Sequence, residues 1–164
     1  MAHATGMDTT HDLLAPGRAL EALARRAARG HRPSWKLLLE QLPQVIEAES
    51  RWLYPALLHR QPGGARRALL MPLTGEHEQM LDLIETLASR PAARNDPMVR
   101  ALQTLLLLHV RSEREWLEHA IRSHPHPLRQ ETAIARYLAQ CAPLLERTRR
   151  VTAPDRRVMT AIAA

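Results

Sequence analysis

The sequence predicts an all-α protein, an antiparallel up-down four-helix bundle with an additional C-terminal helix. Helix-favouring Leu, Ala, Arg, Glu and Gln fill nearly every segment of the 164 residues, and runs of β-branched residues are absent. Inward-facing positions also recur at one spacing, since 32 residues separate Val45 from His77 and another 32 separate His77 from His109. That period fits one long helix plus a turn, which returns successive helices side by side at a similar depth.

Proline, glycine and capping residues predict where the helices begin and end. The first helix is expected over about residues 16–29, because Pro16 suits a first turn and Gly30 a helix end. The second is expected over about residues 34–59, with a serine as its cap and a kink at Pro43, which lies more than one turn inside it.

The second half of the chain has similar boundaries. A third helix is expected over about residues 65–89, and a fourth over about residues 97–123 with Asp96 as its cap. The stretch His124-Pro125-His126-Pro127 predicts a stiff extended linker. A fifth helix is expected over about residues 128–149, interrupted by an internal proline and followed by a tail.

Four polar side chains lie on the apolar faces of these predicted helices. His109 and Glu113 are four residues apart in the apolar stretch LQTLLLLHVRSEREWL, and this spacing places both on one helix face. Glu49 and His77 share the apolar faces of the second and third helices in the same way. A buried carboxylate needs hydrogen bonds, an ion-pair partner or a metal, because leaving it unpaired costs several kcal/mol.

A metal site is the interpretation that accounts for all four residues together. A single histidine on an apolar face is more often a hydrogen-bonded core residue, and a single inward glutamate can pair with an arginine. Two glutamates at one depth, however, repel each other unless a cation lies between them. The sequence therefore predicts a metal site formed by Glu49, His77, His109 and Glu113.

Composition argues against several other classes of function. The net charge of +6 comes from arginines scattered over the chain, with Lys36 as the only lysine, so no basic stripe for specific nucleic-acid binding is indicated. Aromatic residues make up only 3%, which leaves no stacking platform for single strands. A Gly-rich phosphate loop, a nucleophile elbow and a Cys-x-x-Cys motif are absent, so whether the protein is an enzyme stays open.

Cysteine usage and hydropathy predict the cellular location. Cys141 is the only cysteine, which excludes an internal disulfide and suits a reducing cytoplasm. The N-terminus MAHATGMDTT lacks the basic flank and apolar run of a secretory signal. Apolar runs such as residues 105–108 are too short to span a bilayer. We therefore expect a cytoplasmic protein that does not cross a membrane.

The order of the polar residues along the chain is also informative. First comes His11, then Glu49 followed by Trp52-Leu53-Tyr54-Pro55, then Glu76-His77, and finally the His109-x-x-x-Glu113 pair. This pattern resembles the hemerythrin-like HHE cation-binding family of four-helix bundles over roughly residues 8–122.

The resemblance implies a pair of non-haem iron ions inside the bundle, with an open position for a small ligand such as dioxygen, nitric oxide or peroxide. Glu49 and Glu113 would bridge the two ions. His77 and His109 would bind one ion, and His11 would bind the other. Manganese and zinc accept the same types of ligand. Residues 1–123 would form this metal-binding bundle, and residues 124–164 would form the linker, the C-terminal helix and a tail that pack on it.

Two positions depart from the family pattern. Val45 stands where the family has the histidine of its first H-x-x-x-E motif, and Gln41, one turn earlier, is the only nearby side chain that could replace it. His11 is out of phase with the apolar seam of a straight helix, so its inward direction depends on a break near Pro16. The site of Glu49, His77, His109, Glu113 and His11 is thus expected to be a partly degenerate di-metal site.

The predicted function is metal binding, with iron as the expected metal in a mono- or dinuclear site. Such a protein would serve in oxygen, nitric oxide or redox sensing, or in iron handling. The alternative is a metal-free helical bundle that acts as an interaction or regulatory module. The sequence leaves the choice among these roles and the oligomeric state open.

Overall fold

The computed structural model describes residues 9–59, 64–89, 96–122 and 132–153, and in these ranges all regular structure is helical. The helices are α1 (Thr9–Ala28), α2 (Arg32–Ala48), α3 (Tyr54–His59), α4 (Gly64–Ala88), α5 (Pro97–Arg122) and α6 (Thr132–Thr152), and a π-helical turn (Glu49–Leu53) joins α2 to α3. None of these helices has an apolar stretch long enough to cross a membrane. The predicted linker at residues 124–127 lies outside the described residues.

Four helical segments enclose the core, namely α1, α2 with α3, α4 and α5. The remaining helix, α6, covers one side of the core. α1 packs against α2 and α5, α5 packs against α4, and α2 and α3 close the ring against α4. α6 packs against α1, α2 and the π-helical turn. All six helices contribute leucines to the core, among them Leu13, Leu38, Leu57, Leu73, Leu102 and Leu144. The predicted all-α bundle with an additional C-terminal helix is confirmed.

α1 begins earlier than the sequence predicts and shows no break at its proline. It starts at Thr9 and continues through Pro16, so the expected start near residue 16 is wrong. Pro16 and Gly17 are both buried, and their packing offsets the loss of the backbone hydrogen bond that a proline inside a helix removes. On this continuous helix Leu13 faces the core, whereas the side chain of His11 is exposed.

Two other helices continue through prolines at which the sequence predicts a kink or a break. α2 runs through Pro43, and α6 runs through Pro143. α2 also starts before the predicted serine, because His31 caps it and accepts the backbone N–H of Ser34 on Nδ1 at 3.2 Å. Asp96 is confirmed as the cap of α5, since its Oδ1 accepts the backbone N–H two residues further on at 2.8 Å.

The π-helical turn lies where the polar side chains of the core are concentrated. The backbone N–H of Tyr54 bonds to the carbonyl of Glu49, five residues back rather than four. Widened turns of this kind are rare and often occur at functional sites. The turn presents Glu49 to the core and changes the rotational phase of the residues that follow it.

Candidate metal centre

Three buried side chains direct one ligand atom each toward a common point. The atoms are Oε2 of Glu49, Nε2 of His77 and Nε2 of His109, and each residue is at most 3% exposed. Oε2 of Glu49 lies 3.1 Å from Nε2 of His77 and 3.9 Å from Nε2 of His109. The two Nε2 atoms lie 3.1 Å apart. An oxygen and two nitrogens at these distances can all bind one metal ion, with bonds of about 2.0–2.2 Å.

The three ligands come from three elements that the bundle holds at one level. Glu49 belongs to the π-helical turn, His77 to α4 and His109 to α5. Apolar residues one turn away on the same helices, such as Met80 and Leu106, are fully buried around them. Helix packing therefore removes bulk water from these polar atoms, so their partners must be one another or a bound cation.

Outer hydrogen bonds orient both imidazole rings. Nδ1 of His109 lies 2.9 Å from Oε2 of Glu76, and Nδ1 of His77 lies 3.3 Å from Oγ of Ser50. With the Nδ1 atoms engaged there, both Nε2 atoms face the cluster. Histidines that bind metals usually donate their second N–H to such an oxygen, which fixes the tautomer and the direction of the ring.

The electrostatics of the cluster favour a cation at its centre. Burial lowers the pKa of His109, but hydrogen bonding to Glu49 and the charges of nearby carboxylates outweigh burial and raise the pKa to about 9. Burial raises the pKa of Glu49, yet the hydrogen bonds from His109 and His77 outweigh it and hold the pKa below its ordinary value. In the metal-free protein a proton supplies the positive charge of the cluster, and a bound metal ion would replace this proton.

Glu113 lies beside the cluster and is engaged by a tyrosine. Oε1 of Glu113 accepts a hydrogen bond of 2.9 Å from the hydroxyl of Tyr54, and this hydroxyl is also 3.4 Å from Nε2 of His77. The tyrosine ring is buried, stacks on the ring of His77 and meets Trp116 edge-on. Burial, followed by the charge of Glu49, raises the pKa of Glu113 to about 8.

The structure does not bring His11 to this cluster. α1 continues through Pro16, so the break that would turn His11 inward is absent and its side chain is exposed. Val45 is 2% exposed and packs in the core, and Gln41 is buried one turn before it. Of the five predicted ligands, the structure thus brings Glu49, His77 and His109 together, with Glu113 next to them.

Sequence patterns assign no role to Tyr54, Glu76 or Ser50, although all three contact the cluster. Tyr54 and Glu76 belong to the motifs that carry the family resemblance, but neither shares a helix face with a predicted ligand. Tyr54 reaches Glu113 from another helical segment, and Glu76 reaches His109 across a helix pair. Only Glu76 could have been identified from the sequence, because a metal-bound histidine commonly has a carboxylate partner.

Comparison with protein families relates this geometry to known proteins. The model of the hemerythrin HHE cation binding domain matches residues 5–121, a span that includes Glu49, His77, His109 and Glu113. The chain belongs to this hemerythrin family. The cation binding that defines the hemerythrin HHE domain agrees with the buried cluster of one glutamate and two histidines. Comparisons with curated proteins and with solved structures gave no match. α6 lies beyond the residues that the family model matches.

Proposed function

We propose that this hemerythrin domain binds one non-haem iron ion per chain through Glu49, His77 and His109. The observation that carries the proposal is the convergence of one carboxylate oxygen and two imidazole nitrogens within 3.9 Å in the core. Two histidines and one carboxylate form the ligand set of many non-haem iron(II) sites. Iron bound here would supply a redox-active ion with open positions for dioxygen or nitric oxide.

Three features of the residues around the cluster favour one ion over two. Val45 cannot bind a metal, and the exposed side chain of His11 points away from the core. Glu113 already accepts a hydrogen bond from Tyr54. A second ion would therefore find carboxylates but no further imidazole. The protein should bind it with lower affinity than the first ion.

The residues around the ligands orient them and limit access. Glu76 and Ser50 hold the two imidazoles with their Nε2 atoms inward, so little reorganisation is needed for metal binding. Dense packing around Glu49, His77 and His109 leaves access only for small ligands. These properties suit the sensing of dioxygen or nitric oxide, or the handling of iron, by a cytoplasmic protein.

Elemental analysis after anaerobic loading with Fe²⁺ tests the proposal. We expect about one iron per chain, since three ligands form one metal position, and a new visible absorption on addition of nitric oxide. Manganese and zinc, offered in competition with iron, determine metal preference. The variant His77→Ala serves as a control and should lose both the metal and the absorption change.

The same measurement separates the two candidate functions. Wild-type protein that binds no iron, manganese or zinc at neutral pH would contradict the metal-binding proposal. In that case the buried imidazoles and carboxylates serve only as a hydrogen-bonded polar core, and the interaction module becomes the better description. Two tightly bound ions per chain would contradict the single-ion assignment while leaving metal binding intact.

A further inference from the structure

The C-terminal helix is the one described helix that lies wholly outside the hemerythrin match, and it contacts the turn that carries a metal ligand. The family model ends at residue 121, whereas α6 spans Thr132–Thr152. α6 packs against α1, α2 and the π-helical turn that contains Glu49. A helix that served only to cover apolar surface would not need polar contacts to this turn, so those contacts are informative.

A pair of hydrogen bonds joins α6 to the π-helical turn and to the end of α2. Nε1 of Trp52 donates to Oε1 of Gln140 at 3.1 Å, and Nε2 of Gln140 donates to the backbone carbonyl of Gln44 at 3.4 Å. Trp52 lies in the same turn as Glu49, three residues further on, and Gln44 precedes Glu49 by five. One amide group of α6 therefore contacts residues on both sides of the metal ligand, through the indole of Trp52 and the backbone carbonyl of Gln44.

Cationic groups hold the Trp52 indole from two elements. The guanidinium carbons of Arg51, in the turn, and Arg136, in α6, each lie 4.8 Å from the centroid of its ring. Guanidinium groups at this distance are attracted to the indole π-system. α6 thus restrains the indole through Arg136 as well as through the hydrogen bond to Gln140, so the indole has little freedom to rotate.

The inner face of α6 also closes the core next to Glu49. Tyr137 and Cys141 lie one turn apart on this face and are 1% exposed each. Burial, followed by the charge of Glu49, raises the pKa of both groups and keeps them uncharged. The buried face of α6 is thus uncharged where α6 packs against the turn.

From these contacts we infer that α6 is a positioning element of the metal site, which holds the π-helical turn through Gln140 and Trp52 so that Glu49 points at His77 and His109. The inference rests on the proposed metal binding. Gln140 and Trp52 do not touch the ligand atoms, and they act on the metal only through the backbone of the turn. Outer groups that orient a metal ligand typically change metal affinity by about 10- to 100-fold.

The far end of α6 offers a matched control. Arg147 forms a two-pronged ion pair with Glu40 at 2.7 and 2.8 Å, which fastens α6 to α2 away from the turn. Arg147→Gln therefore weakens the attachment of α6 without touching the Trp52 contacts. Gln140→Leu removes the hydrogen bonds of the amide with Trp52 and with the carbonyl of Gln44, and it keeps the size of the side chain. The two variants separate a general loss of α6 packing from a specific loss of Glu49 positioning.

The experiment measures the dissociation constant of Co²⁺ by competition with a chelator, together with the visible absorption spectrum of the bound ion. We expect Gln140→Leu and Trp52→Phe each to weaken Co²⁺ binding by about 10-fold and to shift the absorption bands. Arg147→Gln should change the affinity by less than about 2-fold and leave the spectrum unchanged, because Arg147 pairs with Glu40 and not with a residue of the turn. Circular dichroism of the metal-free variants verifies that each of them keeps its helices.

A double variant tests whether the two residues act as one unit. If Trp52 and Gln140 act through their shared hydrogen bond, Trp52→Phe combined with Gln140→Leu should weaken binding no more than the stronger single variant. Wild-type affinity and spectrum in Gln140→Leu, or equal effects of Gln140→Leu and Arg147→Gln, would overturn the inference while the proposed metal site stands. Wild-type protein that binds no Co²⁺ would overturn both.

Discussion

The two sides of the bundle core differ in the polar side chains that they contain. On the α4–α5 side, His77 and His109 are buried, and each has an outer hydrogen-bond partner. On the α1–α2 side, Val45 is a buried aliphatic residue and His11 is exposed. The α4–α5 side thus has buried imidazoles and the hydrogen bonds that orient them, whereas Val45 and His11 supply neither.

The two carboxylates of the core also differ in their surroundings. Glu49 faces both imidazoles and stays ionised, because hydrogen bonds from His109 and His77 outweigh the effect of burial on its pKa. Glu113 has a raised pKa of about 8, and its close contact is the hydroxyl of Tyr54. α1 passes close to it, since a Cβ atom at Gly17 would lie 3.9 Å from Oε2 of Glu113. The same residue type thus faces the two imidazoles at Glu49 and is hydrogen-bonded to a tyrosine at Glu113.

Removal of an imidazole from the intact side should have the largest effect. His109→Ala is expected to weaken metal binding by more than about 100-fold, since loss of a direct ligand exceeds the loss of an outer partner. Titration with Fe²⁺ under anaerobic conditions gives the affinity. Glu40→Ala is the control, because Glu40 is exposed and pairs with Arg147. Similar metal content in the two variants would show that the cluster is not the site.

Restoring an imidazole on the other side would sharpen the comparison. Val45→His places a ring one turn before Glu49, so we expect the metal content to rise from about one toward two ions per chain. The metal-free variant should lose about 1–3 kcal/mol of stability, because a polar ring replaces a buried aliphatic side chain. Bound metal should restore the lost stability. Val45→Asn controls for polarity alone. An unchanged metal content would show that Val45 only packs the core.

The outer carboxylate of the intact side should have a smaller effect than a ligand. Glu76→Ala removes the partner of Nδ1 of His109, and we expect metal affinity to fall by about 10-fold. Glu78→Ala, two residues further on the same helix, is exposed and should bind metal as the wild type does. Isothermal titration of both variants measures the difference. Equal affinities would mean that the orientation of His109 does not depend on Glu76.

The hydrogen bond from Tyr54 to Glu113 should show its effect in stability rather than in metal affinity. Tyr54→Phe leaves Oε1 of Glu113 without its donor and should lower the free energy of unfolding of the metal-free protein by about 1–3 kcal/mol. Denaturant titration measures this loss. In a Glu113→Leu background the substitution should cost much less, because the acceptor is gone. An equal cost in both backgrounds would assign the effect to packing.

The smallest effect is expected at the surface, where Glu21 of α1 binds Arg25 and reaches Arg114 of α5 at 3.0 Å. The hydrogen bond from Arg25 outweighs burial and lowers the pKa of Glu21 below its ordinary value of 4.5. The contribution of Glu21 to the free energy of unfolding is therefore present above the pKa of Glu21 in the unfolded state. It is lost as the pH falls through the pKa of Glu21 in the folded state. At neutral pH, Glu21→Gln should cost about 0.5 kcal/mol of unfolding free energy.

Denaturant titrations at neutral and acidic pH test this expectation, and the difference between wild type and Glu21→Gln should vanish in acid. Glu47→Gln is the control, since Glu47 and Arg51 are more than half exposed and 3.6 Å apart. A difference that persists in acid would mean that Glu21 acts through packing rather than charge.

Much of this protein follows from local patterns in its sequence. The predicted bounds of α4 and α5 agree with the structure to about one residue, and Asp96 caps α5 as expected. The burial of His77 and His109 also follows from the spacing of neighbouring leucines. Such features are predictable because capping and helical periodicity involve residues within a turn or two of each other. At Pro16 and Pro143 the same reasoning predicts a boundary or a break that the structure does not show, because packing offsets the cost of a proline inside a helix.

The sequence by itself determined the helical class, the family and the residues that turn inward, whereas the tertiary structure decided which of those residues meet. The contact of Glu76 with His109 spans 33 residues of the chain, and that of Trp52 with Gln140 spans 88. The exposure of His11 depends on the continuity of α1 through Pro16, and the contact of Tyr54 with Glu113 follows from the π-helical turn. One extra residue in a turn rotates everything after it by about 100°, and no local pattern of apolar residues specifies that rotation.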